Sequence, residues 1–186
     1  MGGWTAQQRC SLGDDPHRPE GMAMIIIRCE TGDDVMVETE TLVGATLHGL
    51  NLHRALLEGK DIRQADLSGA DLRSAWLDGA ILDEANLTQA KLPACSATRA
   101  RFVGADLSGA FMRSGGFDGA DFTRAKLQGA DVGRARFTGA VFDGADLRAN
   151  DLAEANLKGA RVDHSTKWPD GFVPQAHGVI VRDRPE

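Results

Sequence analysis

The sequence has no tyrosine, and Phe and Trp together make up only 5% of its 186 residues. An ordinary globular core depends more heavily on large aromatic side chains. The hydrophobic fraction is nonetheless 42%, and it consists mainly of Ala and Leu at fixed spacing. This composition favours a thin, repetitive core over a central one.

Cysteine and long apolar runs are also scarce. Cys10, Cys29 and Cys95 form no CxxC pair, and an odd, scattered set excludes a disulfide framework and a zinc motif. We therefore expect a reducing, cytoplasmic compartment. The apolar run Met22–Ile27 is too short to span a membrane and lacks the basic flank of a signal peptide.

The net charge of −6 is unevenly distributed along the chain. Residues 1–41 carry eight acidic and three basic residues, residues 42–166 carry 16 and 15, and residues 167–186 carry three of each. Direct binding of nucleic acid requires a basic face, and the nearly neutral body does not supply one. We expect no nucleic-acid partner.

A five-residue repeat dominates the chain from Ala45 to Val162. Its form, Ala-(Asp/Asn)-Leu-x-x, is plainest in residues 65–69, 70–74 and 105–109. Its central position recurs 24 times, from residue 47 to residue 162, and is Leu, Ile, Val, Met or Phe in all but Ala97. Two residues before the centre, 19 of 24 positions are Ala. A period of five matches neither a 3.6-residue helix nor a long alternating strand.

Each pentad is best interpreted as one short extended segment followed by a corner. The Ala and the central residue lie two apart, so they point to the same side of an extended segment. Gly occupies the last position in 12 of the 25 units counted from Leu42, where its backbone freedom suits a turn. The Ala and Leu side chains therefore face inward.

This pattern resembles that of the pentapeptide-repeat family. The resemblance implies an all-β solenoid, a right-handed quadrilateral β-helix with four pentads per turn and about six coils. At roughly 4.8 Å per layer the rod would be about 29 Å long. The inward positions expected to form the core include Leu67, Leu87, Leu107, Leu127, Phe102, Phe122 and Phe142.

Departures from the consensus also fit stacking at a spacing of twenty residues. Cys95, larger than the usual Ala, lies twenty residues before Gly115, and the small Ala97 lies twenty before Phe117. Large residues opposite small ones are what close packing requires. We expect the weakest layer near Pro93–Arg99, with a bulge or loosened corner.

The sequence predicts four segments along the chain. Residues 1–21 are predicted to be a disordered leader, 22–41 an N-terminal capping hairpin, 42–164 the β-helix, and 165–186 a C-terminal cap and tail. Trp168 and Phe172 are large enough to cover the last layer, and the register is expected to stop after Val162. Lys60, at an inward position, is expected to pair with Glu40.

No catalytic or cofactor-binding arrangement is evident. Asp66 and Asp71 point outward without a cleft or a nucleophile beside them. The five histidines match no metal-ligand spacing, and His48 and His53 are interpreted as a surface pair. The glycines form neither a P-loop nor a dinucleotide-binding motif. We expect no cofactor, no metal and no enzymatic activity.

Function is therefore sought in the outward side chains. Leu56 and Trp76 are twenty residues apart, and Ile81 lies around the adjacent corner. These three form a candidate partner-binding patch, since Trp is enriched in binding hot spots. The alternative is that isolated exposed apolar residues, these and Phe111 and Val141, carry no function. We expect a non-enzymatic scaffold or protein-binding module with an unidentified protein partner, no membrane association, and a monomer rather than a dimer.

The family resemblance also raises a competing function. Some members resemble duplex DNA in shape and acidity, and they protect or inhibit topoisomerases such as gyrase. Such mimicry requires an acidic side, because charge complementarity governs these encounters. Assigning every fourth pentad from residue 45 to one side gives each side a net charge between −1 and +1. The tail after residue 164 is interrupted by prolines, whereas those members tend to have a C-terminal dimerising helix.

Substitutions in one pentad test the inward and outward assignments. Leu107→Ala is expected to lower the free energy of unfolding by about 2–5 kcal/mol, because it leaves a cavity in a column of leucines. Asp106→Ala is expected to cost far less. Urea unfolding of both variants measures the difference, and the reverse ranking would show that the assignment is wrong.

Overall fold

The computed structural model describes residues 23–182, so the leader expected at residues 1–21 lies outside the described residues. Regular elements are short. Strands β1 (Ile25–Ile27) and β2 (Val35–Val37) pair antiparallel, and β3 (Arg161–Val162) and β4 (Ile180–Val181) pair parallel. Two 3₁₀ turns span Leu152–Glu154 and Pro174–His177.

Single-residue parallel bridges organise the rest of the described chain. They join residues twenty apart, from Thr46 with Asp66 to Val141 with Arg161. Twenty residues are four pentads, so one turn of the chain has four sides. We name these by their pentads: the first side begins at residues 45, 65, 85, 105, 125 and 145, and the second, third and fourth sides follow at 50, 55 and 60 and every twenty residues after.

Backbone hydrogen bonds connect each pentad to the turns before and after it. The Asp66 amide donates to the carbonyl of Ala45 (2.9 Å), and the Leu67 amide donates to the carbonyl of Asn86 (2.7 Å). The Ala70 amide then donates to Leu67 (3.0 Å) and closes the corner. Gly69 occupies that corner with φ of 65°, a left-handed conformation that glycine adopts without steric cost.

Inward side chains stack in columns that exclude water. The centres Leu67, Leu87, Leu107 and Leu127 have no exposed surface. The rings of Phe102 and Phe122 stack at 4.8 Å between centroids, and those of Phe122 and Phe142 stack at 5.1 Å. Burial on this scale supplies the hydrophobic stabilisation that a chain without a central core needs.

The large and small residues that depart from the repeat consensus pack against each other in the interior. Phe117 is fully buried, and its ring stacks on Phe137 at 5.3 Å. A Cβ built on Gly115 would lie 2.6 Å from Cε2 of Phe117, closer than real Cβ contacts allow. Glycine therefore stands where most pentads have Ala, because the Phe117 ring occupies the space of the missing methyl group.

Lys60 does not lie inside. It is exposed, and it forms no ion pair with Glu40 in the described part of the chain. An ammonium group loses its hydration when it is buried without a partner, so the side chain extends into solvent from the first turn. The expectation of an inward Lys60 paired with Glu40 is wrong.

The segment Pro93–Arg99 contains no bulge. Ser96 bridges both Trp76 and Gly116 in register, and the Pro93 carbonyl accepts from the Ser74 amide at 3.0 Å. In other pentads the amide at the position of Pro93 donates only to a nearby side chain. The Ser68 amide, for example, donates to the Asp66 carboxylate at 3.1 Å. The ladder loses no hydrogen bond there, and the expected bulge is absent, while the expectation that this layer is the weakest stays a prediction.

The register changes elsewhere, between residues 147 and 156. Asp131 pairs with Asn150, nineteen residues later, and Arg136 pairs again at twenty with Asn156. Compared with a standard pentad, the corner before Asn150 is one residue shorter. The following segment is one residue longer, and the added residue, Asp151, has a left-handed conformation (φ 56°). Ala149 takes the inward position in place of Asn150 and is buried.

The Arg113 side chain binds the altered segment. It pairs with Asp131 (Nε–Oδ2 3.1 Å), with Asp151, and with Glu154 (Nη1–Oε2 3.4 Å). Its guanidinium lies over Gly133, and a Cβ built on that glycine would lie 2.6 Å from the guanidinium carbon. These contacts tie the added residue to Arg113, which lies two turns earlier in the β-helix.

The twenty-residue register ends after Val162, as expected, but the ladder continues with one residue added, because Asp146 and Lys167 are 21 residues apart. Asp146 bridges Lys167, and buried Thr166 donates its hydroxyl to the carbonyl of Phe142 at 2.8 Å. Trp168 therefore follows Leu147 in the first-side column. Its ring stacks on Phe172 at 5.2 Å, and both pack against the core.

A segment before the repeats contacts their other end. Cys29 pairs antiparallel with Ala55. The Leu56 amide donates to Arg28 at 2.7 Å, and the Glu30 amide donates to Arg54 at 3.1 Å. Residues 28–30 thus add a strand-like edge to the third side of the first turn.

The contact between residues 115 and 117 yields a stability test. Gly115→Ala is expected to lower the free energy of unfolding by about 1–3 kcal/mol, because the new methyl group overlaps the Phe117 ring. In a Phe117→Leu background the same change is expected to cost much less. Urea unfolding of the two single variants and the double variant measures the coupling, and purely additive effects would contradict the packing described.

Asp163 yields a test of pH dependence. Hydrogen bonds from the Ser165 hydroxyl and from the Gly144 and Ser165 amides outweigh desolvation and lower its pKa below the usual value. A lowered folded-state pKa stabilises the fold above the unfolded-state pKa, and this stabilisation disappears as pH falls through the folded-state value.

Wild type is therefore expected to exceed Asp163→Asn in stability at neutral pH, with the gap closing as the pH falls from about 5 into the range where carboxylates become protonated. Urea unfolding across that range measures it. A constant gap would mean that the carboxylate charge contributes nothing.

Candidate protein-binding surface

The third side contains the one place in the described repeats where two outward apolar residues bridge each other. Leu56 pairs with Trp76 in the next turn. Leu56 is half-buried, and Trp76 is 39% exposed. Ile81 lies on the fourth side, where it bridges Asp61 and Arg101. The ladder thus brings Leu56 and Trp76 together and leaves Ile81 on a different side.

Other outward apolar residues are isolated by polar neighbours. Phe111, 46% exposed, lies on the second side between Lys91 and Asp131. Val141 is half-buried on the fourth side between residues 121 and 161. Outside the repeats, Val173 and Ile180 are exposed, and exposed Ile26 pairs with half-buried Met36 across the hairpin. Within the described repeats, no other outward apolar residue has an apolar bridge partner as Leu56 and Trp76 do.

Trp76 also contacts the segment before the repeats. Hydrogen bonds from Arg54 and then from the Trp76 side chain lower the pKa of Glu30, and Arg54 Nη2 lies 2.5 Å from Glu30 Oε2. Trp76 itself remains 39% exposed. Sequence reasoning missed Glu30, because its pairing depends on residues 24 and 46 positions further along the chain.

Ion pairs neutralise most of the outward carboxylates. Some join residues of one pentad, with nitrogen–oxygen distances of 2.5–2.6 Å: Arg63–Asp61, Arg73–Asp71 and Arg148–Asp146. Others join adjacent turns at 2.8–3.1 Å: Arg101–Asp83, Arg136–Asp118 and Lys126–Asp106. A carboxylate beside a guanidinium presents little net negative potential to an incoming partner.

On the third side, as on the others, some charged groups have no ion pair. Within residues 23–182 those of the third side are Glu58, Asp78, Arg99 and Lys158. Asp78 accepts only neutral hydrogen bonds, from the Ser96 hydroxyl (2.8 Å) and the Thr98 amide (2.6 Å). This side therefore combines exposed apolar surface with charges that are free to meet a partner.

The pKa shifts of Asp66, Asp71 and Cys95 run opposite to those that acid–base or nucleophilic catalysis requires. The Ser68 hydroxyl lowers the pKa of Asp66. For Asp71, desolvation is outweighed by hydrogen bonds from Arg73, and its pKa is lowered too. A general acid at neutral pH needs a raised pKa. Desolvation raises the pKa of the Cys95 thiol to about 12, which keeps it protonated and unreactive.

The histidines and other candidate ligands are dispersed. His48 Nδ1 lies 2.8 Å from the Ser68 hydroxyl, whereas His53 belongs to the second side. Across residues 23–182, no group of three His, Cys, Asp or Glu side chains has the arrangement of a metal site. The same part of the chain contains no helix long and apolar enough to cross a membrane.

Comparisons with solved structures place this architecture among known folds. Two trypsin-treated variants of QnrB1, described as a plasmid-mediated fluoroquinolone resistance protein, match with TM-scores of 0.51 and 0.52. Their identities are 17% and 18%, over 76% of this chain and 84% of theirs. HetL, from the cyanobacterium Nostoc, matches at 20% identity over 74% of this chain and 81% of its own, with a TM-score of 0.34. Comparison with curated proteins gives no significant match.

A family profile gives the more specific result. The profile described as pentapeptide repeats matches eight copies, in residues 45–83, 80–114, 117–139 and 133–166. These ranges cover well over half of the chain and coincide with the ladder of twenty-residue turns. The resemblance inferred from the repeat is confirmed, and the fold of such structures is a right-handed quadrilateral β-helix. The chain belongs to the pentapeptide-repeat family.

Proposed function

We propose that this protein is a non-enzymatic protein-binding module that acts through the outer surface of its β-helix. The observation that carries this proposal is the Leu56–Trp76 pair on the third side, with unpaired carboxylates beside it. Members of this family are generally structural or binding modules, which agrees with the proposal. Ile81 contributes to the patch only for a partner that reaches around the corner to the fourth side.

The proposal includes a rigid rod closed at both ends. The 24 pentads make about six coils, and Ile25 and Val35 of the hairpin β1–β2 pack against the core at the N-terminal end. Trp168 and Phe172 pack against it at the other end. We infer that both ends act as caps, because an open β-sheet edge invites aggregation.

Rigidity supports the proposed binding role. The backbone of each side is held by hydrogen bonds to two neighbouring turns, as at Trp76, whose amide donates to Ala55 at 2.9 Å. A preorganised surface loses little conformational entropy on binding. A partly exposed Trp on such a surface has the properties of a binding hot spot.

Cytoplasmic localisation belongs to the same proposal. Cys95 is a buried free thiol, which agrees with a reducing compartment.

A DNA-mimicking regulator of gyrase is the competing function. Its support is the fold shared with QnrB1, whose description names fluoroquinolone resistance. The charge distribution argues against it, because each side of this β-helix carries a net charge between −1 and +1 and most carboxylates are paired with Arg or Lys. A gyrase supercoiling assay distinguishes the two. We expect no inhibition and no drug protection at near-stoichiometric protein, and either effect would favour the regulator.

Partner capture tests the binding role. Trp76→Ala is expected to abolish recovery of the bound protein from an extract of the native host, because it removes the largest exposed apolar surface of the third side. Phe111→Ala is a matched control, since it truncates a similarly exposed aromatic residue on the second side. Circular dichroism confirms that both variants keep the fold. Equal recovery by wild type and Trp76→Ala would exclude the patch.

A further inference from the structure

The formal charges of the third side follow a pattern along the rod. Counting Asp and Glu as −1 and Lys and Arg as +1, its six pentads carry −1, −1, +1, −1, +1 and +1 from the N-terminal end. When the order is reversed, every pentad meets a pentad of opposite charge, and Glu58 and Lys158 do so at the same pentad position. None of the other three sides has this antisymmetry.

This pattern is the one that antiparallel self-association requires. The two-fold axis runs parallel to the strands and crosses the third side between the turns of Ser96 and Gly116. It places each turn opposite the turn of the second copy that lies equally far from the other end of the rod. Because the axis runs along the strands, each pentad position faces the same position of the second copy. Such an interface is isologous, so every contact occurs twice.

The residues brought together across this axis are chemically complementary. Glu58 faces Lys158 of the second copy. Trp76 faces Arg136, whose guanidinium is paired with Asp118 but whose side chain is still 59% exposed, so that its open face can make a cation–π contact with the indole. At the centre, Ser96 faces Gly116, and these small residues permit close approach.

We infer that the third side binds a second copy of this chain in antiparallel orientation. The inference rests on the proposed function, because it identifies the protein that the patch binds. It accounts for Glu58 and Lys158 lacking partners within the described chain. It also explains why the exposed apolar pair lies at one end of this side, opposite the basic end of the second copy.

The interface is small. One side of a rod about 29 Å long offers less than the roughly 800 Å² per partner that is typical of stable complexes. The dimer is therefore weak and depends on protein concentration. Its ion pairs are solvent-exposed, so added salt weakens it.

Charge reversal tests the inference through sedimentation velocity of the full chain, from about 5 μM to about 500 μM. Wild type is expected to pass from monomer to dimer within this range. Glu58→Lys and Lys158→Glu, each alone, are expected to raise the dissociation constant about tenfold or more, because each places like charges opposite each other twice per dimer.

Mixing the two variants in equal amounts is the decisive step. In a mixed dimer both contacts again join opposite charges, so association is expected to return to the wild-type level. Lys91→Glu is the control, since it makes the same charge change at an exposed position of the second side and leaves dimerisation unchanged. Circular dichroism of each variant excludes unfolding as a cause.

A wild type that stays monomeric across the range, or variants that mixing does not rescue, would overturn the inference. The proposed function is judged separately, by capture of host protein with wild type and Trp76→Ala. Trp76-dependent capture of a different protein by a monomeric chain would overturn the dimer and leave the binding role standing.

Discussion

The hydrogen bonds between residues twenty apart determine where every other side chain of the repeats lies. The Leu67 amide donates forward to Asn86, and the Asp66 amide donates backward to Ala45, so each turn is held by the two beside it. With the backbone in this register, residues at one pentad position form a column. Stability, surface charge and exposed apolar contacts are then properties of columns, and each turn interacts mainly with its nearest neighbours.

The period of five was sufficient to predict the core, because burial repeats with the same period as the sequence. Leu87 and Phe122 are buried as expected. Errors arose where one residue was interpreted without its neighbours. Lys60 was assigned inward from its position alone, and Pro93 was expected to disturb a ladder in which its amide position takes no part. The contact of Glu30 with Arg54 and Trp76 depends on tertiary folding, so no local pattern indicated it.

The sequence predicted which residues share a side of the candidate surface but not which of its charges form ion pairs. The sequence placed Leu56 and Trp76 on one side, and the structure bridges them. Ile81 was placed around the adjacent corner, and its bridge partners do lie on the fourth side. Formal charge per side was also available from the sequence. Which charges remain unpaired was not, because Arg side chains reach carboxylates of their own pentad in some turns and of an adjacent turn in others.

The paired change of register near Asn150 has an evolutionary consequence. One side is a residue shorter and the next is a residue longer, so the perimeter of the turn is conserved although neither side has the standard length. A deletion and a nearby insertion can therefore cancel, and periodicity downstream returns to its original phase. The repeat pattern of the sequence then gives no sign of the deletion and insertion, except that Asn150 stands where most pentads have Ala. Pentapeptide repeats that look uninterrupted can thus record compensated changes of chain length.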